Sequence, residues 1–167
     1  MKRILITGMS GTGKSSVVTE LAARGYKAVD ADSPEYAEWV EVGGDTSDLG
    51  SPEWGAKDWM WREDRVQERL SIEDADLLFV SGCAANMGTF LSQFDHVVLL
   101  SAPAEIIVER LTTRTTNAYG KRPEEVARTL ELIETIEPRL RRVAGHEIDA
   151  SSSLDEVVAT VLRIAGE

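Results

Sequence analysis

At 167 residues the chain has room for one well-filled core, and it is short for two domains or for an AAA-type machine. Its 43% apolar residues are ordinary for a globular protein, with no run approaching the roughly 20 that a membrane helix requires. A net charge of −11 repels polyanions at long range, so neither a nucleic acid nor an anionic membrane is expected as a partner.

The opening Met1-Lys2-Arg3 is basic, but too few apolar residues follow for a signal sequence, and the lone Cys83 cannot form an internal disulfide. Both features are those of a soluble cytoplasmic protein. Ile4-Leu5-Ile6 reads as a first strand. Gly8-Met9-Ser10-Gly11-Thr12-Gly13-Lys14-Ser15 then satisfies the P-loop (Walker A) pattern, between that strand and a segment with helical spacing from Lys14 to Arg24. Glycines let successive backbone N–H groups turn inward on a phosphate chain, and a helix N-terminus adds partial positive charge. Lys14 is placed to reach the β- and γ-phosphates and the Ser15 hydroxyl to ligate Mg²⁺. The expected nucleotide site is therefore Gly8, Ser10, Gly11, Thr12, Gly13, Lys14 and Ser15, with Ser16 as the next hydroxyl on the helix surface.

Gly25 ends the first helix, and residues 26–29 form a short strand closed by Asp30-Ala31-Asp32. Ser33 or Asp32 is a suitable cap for a helix starting at Pro34. Residues 43–55, rich in Gly, Asp and Ser, read as a mobile loop. From Lys57 to Asp74 the spacing predicts a helix, with Trp59, Val66 and Leu70 on one face and Arg62, Arg65 and Arg69 on an adjacent stripe. Residues 77–80 and 96–100 are continuous apolar runs, as in strands buried on both sides. A helix over 104–112 carries Ile106, Ile107 and Leu111 inward, and a polar stretch follows it. Pro123 opens a long helix to about residue 144 that breaks near Pro138; residues 147–149 make a last strand and 155–164 a last helix. Strands alternating with helices predict one α/β domain over residues 1–167. It is a three-layer P-loop NTPase fold with a five-stranded parallel sheet and helices on both faces. A helical acceptor-binding segment spans about 33–75 and a mobile lid about 112–125.

Ligands in such a sheet bind beyond the C-terminal strand ends, so the residues just past each strand carry the chemistry. Asp30 and Asp32, two apart, project to the same side. Aimed at a triphosphate, one suits the metal's ligand shell and the other the proton of an attacking hydroxyl. Asp32 is assigned to the acceptor and Asp30 to the metal, an order that the sequence leaves open; turn or cap chemistry is the competing explanation for both. Arg110 and Arg114, with Lys121 and Arg122, flank a polar flap that suits a lid closing over nucleotide. Residues 30–76 hold fifteen acidic and four basic side chains and all four tryptophans, Trp39, Trp54, Trp59 and Trp61. Those rings can stack on an acceptor or pack a helix. Cys83 reads as a small packing residue, and neither His96 nor His146 is assigned a catalytic role.

The P-loop, the Asp30-Ala31-Asp32 pair, Arg62 after an aromatic residue, and Arg110 to Arg114 ahead of a polar flap together resemble the small P-loop kinases. Shikimate kinase and its gluconate-kinase and nucleoside monophosphate kinase relatives are the nearest likeness. The resemblance implies Asp30 and Asp32 beside Mg²⁺ and acceptor, Arg62 on an anionic group of the acceptor, and Arg110 or Arg114 on the phosphates. Of the glycine run that shikimate kinases place after the third strand, only Gly82 stands in Ser81-Gly82-Cys83-Ala84-Ala85. Arg122-Pro123-Glu124-Glu125 likewise replaces two apolar lid residues with acids, and both departures point away from shikimate itself. The implied activity is ATP- and Mg²⁺-dependent phosphoryl transfer to a small molecule by a monomer or homodimer. The alternatives are a nucleoside monophosphate kinase and a nucleotide-binding regulatory module without turnover.

Overall fold

The computed structural model describes residues 1–41, 57–115 and 117–166. Five parallel strands form the sheet: β1 (Lys2–Thr7), β2 (Lys27–Asp30), β5 (Leu77–Ser81), β6 (His96–Ser101) and β7 (His146–Asp149), in the order β2-β5-β1-β6-β7. β1 is central, pairing Ile4 with Phe79 of β5 and with His96 of β6. The strands lie buried on both faces, so their apolar residues split by parity into two cores. Ile4, Ile6, Phe79, Val98 and Leu100 face α1 (Lys14–Ala23) and α6 (Leu154–Ala165), which contribute Val17, Leu21, Val157, Val158 and Val161. Leu5, Leu78, Val80, Val97 and Leu99 face the other way. They meet Val66 and Leu70 of α2 (Glu63–Ser71), Leu140 of α5 (Glu137–Val143), and Met87 and Phe90 of a 3-10 helix over Met87–Gln93.

The remaining helices are α3 (Ala104–Thr113) and α4 (Pro123–Thr135). The long helix expected from Pro123 breaks as anticipated, with Ile136 between α4 and α5 and Pro138 in the first turn of the latter. Ser153 caps α6 with a reciprocal bond from Glu156, a capping box that fixes where the last helix starts.

Two expectations are corrected. No helix starts at Pro34. The Ser33 carbonyl accepts from the Tyr36 and Ala37 N–H groups in a turn, and the chain then enters β3 (Ala37–Glu41). Nor is 57–74 one helix: Lys57–Trp61 is β4, antiparallel to β3, and only Glu63–Ser71 is helical. Aromatic and β-branched residues favour the ribbon, and directly opposed pairs stabilise it. Trp39 stands opposite Trp59 with ring centroids 5.1 Å apart, and Ala37 opposite Trp61. The helical spacing of Trp59 with Val66 and Leu70 thus ran across an element boundary. Glu63 and Asp64 in the first turn of α2 suit its positive end, which places the start after Arg62. The segment over 33–75 that was expected to be helical is accordingly, among its described residues, a two-stranded ribbon followed by one helix. The loop expected over 43–55, with Trp54, lies outside the described residues.

Candidate active site

β1 delivers the P-loop to the C-terminal edge of the sheet. A Cβ on Gly8 would stand 2.4 Å from the Leu100 carbonyl oxygen of β6, so no larger residue fits where the loop crosses that strand. The Thr12 hydroxyl donates to the Met9 carbonyl at 2.8 Å and closes the loop on itself. Gly13 precedes α1 as its N-cap, which aims the helix's positive end into the loop. Lys14 Nζ bridges the Gly8 and Met9 carbonyls at 2.7 and 3.1 Å, so its charge lies over the loop. Gly11 and Thr12 are buried beneath it, while Ser15 and Ser16 are exposed on the first turn of α1.

The next carboxylate follows from strand pairing. β2 ends with Asp30 in register with Ser81, and the Ser81 hydroxyl lies 3.4 Å from Asp30 Oδ1. The Asp32 N–H donates to the same oxygen at 2.9 Å, and Ser15 Oγ donates to Asp30 Oδ2 at 3.0 Å. A serine hydroxyl and a carboxylate at that separation form a hard-oxygen pair. Mg²⁺ commonly takes one or two carboxylate ligands, with water and phosphate completing the octahedron, so the donor set fits this ion. Among the described residues no group of three or more His, Cys, Asp or Glu could hold a metal by itself.

Asp32 lies two residues further along the chain, in the turn after β2. Its Oδ1 accepts from Trp59 Nε1 at 3.1 Å and Trp61 Nε1 at 3.2 Å, and its Oδ2 from the Cys83 N–H at 3.0 Å. Trp59 and Trp61 are two apart in β4, and the pleat turns both indoles to the same face. Gly82 makes the approach feasible: a Cβ there would lie 2.8 Å from the Trp61 ring and 3.0 Å from Asp32 Oδ1. Burial raises the Asp32 carboxyl above the usual range, with Lys14 and the two indole N–H groups opposing the rise and Asp30 adding to it. Burial also pushes the Cys83 thiol up to about 11, in keeping with an inert packing residue.

The arginines fall at three different places. Arg110 donates to the Ala150 carbonyl at 2.6 Å, while its other terminal nitrogen lies 3.5 Å from the Thr12 carbonyl, joining the P-loop to the turn after β7. Arg114 donates to the Tyr119 carbonyl at 2.7 Å and reaches Ser10 Oγ at 3.4 Å, so one lid arginine touches the P-loop directly. Arg62 is ion-paired with Glu38 at 2.9 Å. Glu38 opposes Met60, on the ribbon face away from the indoles, so the structure does not bring Arg62 to Asp32. Lys121 is not directed at the P-loop: its ammonium takes the Leu111, Thr112 and Arg114 carbonyls at the end of α3. The rings of His96 and His146, tilted 59° with centroids 5.4 Å apart, lie at the N-terminal ends of β6 and β7, the edge of the sheet opposite to the loop.

Sequence reading missed the indole pair as partners of Asp32, the Cys83 main-chain donor and the Lys121 clamp. A Trp-x-Trp spacing of two was the available signal for the first, had 57–61 been read as a strand.

A glycine-rich loop between a central parallel strand and a helix, facing paired aspartates at the next strand end, defines a P-loop nucleotide-binding domain. Residues 4–131 match the family described as AAA domain (AAA_18), and the chain belongs to it. Shikimate kinase 2 of Yersinia enterocolitica is 27% identical over 98% of this chain and 95% of its own length. Among solved structures, shikimate kinase from Acinetobacter baumannii in complex with shikimate superposes with a TM-score of 0.62 at 18% identity, covering 99% of this chain and 93% of its own. The TT1252 protein of Thermus thermophilus gives 0.62 at 23%, covering 97% and 96%. Shikimate kinase from Bacteroides thetaiotaomicron gives 0.60 at 14%, covering 99% of both chains. No described helix is long and apolar enough to cross a membrane.

Proposed function

We propose that the chain is an ATP- and Mg²⁺-dependent kinase that transfers the γ-phosphoryl group to a hydroxyl of a small-molecule acceptor. The observation that carries this reading is Asp32, a half-buried carboxylate oriented by two indoles, electrostatically influenced by Lys14 and adjoining the Ser15 and Asp30 pair. The P-loop N–H groups and Lys14 hold the β- and γ-phosphates, and Arg114 reaches them from the lid while Arg110 stiffens the back of the loop. Mg²⁺ held by Ser15, Asp30 and phosphate oxygens would neutralise charge between the β- and γ-groups.

Asp32 takes the proton of the acceptor hydroxyl as its oxygen bonds to the γ-phosphorus. The bond from that phosphorus to the bridging oxygen breaks, and ADP leaves. Lys14 and Arg114 offset charge on the transferring group. The raised Asp32 proton affinity suits a base better than an ordinary aspartate would, since it lies nearer to working pH. The shikimate kinases among the relatives support a small hydroxylated acceptor over a macromolecular one.

The test is acceptor-dependent ADP release across sugar acids, polyols, amino alcohols, nucleosides and nucleoside monophosphates, with Lys14→Ala as control. Nucleotide binding that depends on Lys14, with no acceptor accelerating ADP release, would leave a nucleotide-binding module instead.

A further inference from the structure

We propose that Asn86 is a positioning residue for Asp32, the base of the kinase reading on which this inference rests: its carboxamide docks β4 on the turn after β5, so that both indoles meet the carboxylate. One edge of β4 pairs with β3, with Met60 opposite Glu38. Residues 85 and 86 meet the other edge. The Ala85 N–H donates to the Trp59 carbonyl at 2.8 Å. Two residues on, the Trp61 N–H donates to Asn86 Oδ1 at 2.8 Å, and Asn86 Nδ2 donates to the Trp61 carbonyl at 2.9 Å. Main-chain groups of alternate residues point to the same side of a strand, so the Asn86 side chain stands where a third strand would pair. Only a carboxamide offers a fixed donor and a fixed acceptor side by side, which is what the Trp61 main chain requires.

The same turn supplies Asp32 both directly and through β4. The Cys83 N–H donates to Asp32 Oδ2 at 3.0 Å, while Trp59 and Trp61 Nε1 donate to Oδ1 at 3.1 and 3.2 Å. The two indoles reach that oxygen only while β4 keeps its register, because a slip of one residue would turn both to the opposite face. Asn86 itself projects from a fixed base: its carbonyl accepts from the Thr89 hydroxyl, and Ala84, Ala85 and Met87 around it are buried. The charged groups acting on Asp32 are Lys14 of α1, which favours the ionised form, and Asp30 of β2, which opposes it. Both belong to other elements, so weakening the Asn86 contact leaves them in place and acts on the indole donors. Glu63, 3.4 Å from Asn86 Nδ2, is the charged group beside the amide itself. Loosened indole donors stabilise the carboxylate less, and Asp32 then holds its proton to higher pH.

The test is a pH titration of intrinsic tryptophan fluorescence, since Trp59 and Trp61 bond to the carboxylate and report its protonation without turnover. Asp32→Asn should remove the transition and so identify it. Asn86→Ala should move it upward by about half a pH unit, the scale of a weakened hydrogen bond to a charged acceptor. Asn86→Gln keeps both groups one carbon further out; it should give a smaller shift in the same direction, and it stands in if the alanine variant does not fold. Gln93→Ala is the control: that carboxamide ends the 3-10 helix that Asn86 precedes and donates to Gln67 at 2.8 Å, so its loss should leave the transition in place even where Tm falls. In a Trp61→Phe background, Asn86→Ala should shift the transition less than in the wild type, because one of the donors it positions is gone. The proposal is overturned by the lack of an Asp32-dependent transition in the wild type, or by no shift in the folded Asn86 variants. An equal shift in Gln93→Ala, or full additivity with Trp61→Phe, overturns it too. Failure of the kinase reading is distinct, because it shows as the absence of acceptor-dependent ADP release and leaves this titration unaltered.

Discussion

The two walls of the cleft are made by different means. On the wall proposed to hold nucleotide, glycines, helix dipole and main-chain groups shape the site, and the proposal draws on few side chains: Lys14, Ser15 and Arg114. On the wall proposed for the acceptor, groups from separate elements converge on Asp32: indoles from β4 and a main-chain N–H from the turn after β5. A wall built of backbone is set by local chain geometry and tolerates little variation. One built of side chains can be rebuilt by changing the ribbon alone, so one scaffold can host different ligands.

The sharpest way to break that contrast is to disable each wall in turn. Lys14→Ala should abolish measurable nucleotide binding and turnover together, read by ATP titration and ADP release. Asp32→Asn should lower kcat by about 10²- to 10⁴-fold, the range for loss of a general base, while ATP affinity changes little. Equal loss of turnover and ATP affinity in Asp32→Asn would make the aspartate structural and erase the distinction between the walls.

Proton linkage sharpens it further. A carboxyl whose pKa desolvation raises from the ordinary 3.8 binds its proton more readily in the folded state than in the unfolded one. Stability contributed by the group therefore falls as pH rises from the unfolded value through the folded one, and the deficit is complete only above the folded value. Asp32→Asn should raise Tm at pH 7, and that advantage should vanish in acid below the ordinary aspartate range. A Tm lowered at pH 7 would mean that the indole bonds outweigh burial. For the wild type, kcat/KM should fall on the acid side with an apparent pKa above that of a free aspartate. Trp59→Phe removes a donor that favours the ionised form, so it should move this limb to higher pH. Trp61→Phe should do the same and, because Trp61 is fully buried, also cost about 1–3 kcal/mol of stability in denaturant unfolding.

The same division decides what was legible in the sequence. The Gly8 to Ser15 motif, the alternation of strands and helices and the five-stranded sheet were readable because each has a local pattern: fixed spacing, continuous apolar runs, proline and glycine punctuation. The Asp30 and Asp32 placements followed from the end of β2. The ribbon was not readable, because Trp59 shares helical spacing with Val66 and Leu70 by coincidence, while its true partner, Trp39, lies twenty residues away. Non-local pairing overrode local periodicity there. Arg62 illustrates the cost. Its type and its aromatic neighbour were correctly noted, but its pairing with Glu38 depends on which face of β3 that acid occupies.

Lys121 gives the smallest effect and the finest test, because it belongs to neither wall yet sets the reach of one. Its ammonium bonds to the Leu111 and Thr112 carbonyls at 3.0 and 2.9 Å and to that of Arg114, at the C-terminal end of α3. Unpaired carbonyls collect partial negative charge at that end, and a cation on them stabilises the helix by a few tenths to about 1 kcal/mol. The same contact tethers the backbone from which Arg114 extends to Ser10. Lys121→Met, which keeps the aliphatic stem, should therefore lower Tm slightly and reduce kcat severalfold through a misplaced Arg114, with acceptor KM unchanged. Lys121→Arg should restore part of both. If instead Lys121→Met raised KM for ATP as strongly as loss of Arg114 does, the ammonium would leave the helix end for the phosphates when nucleotide binds. The lid would then contribute two cations to the nucleotide wall.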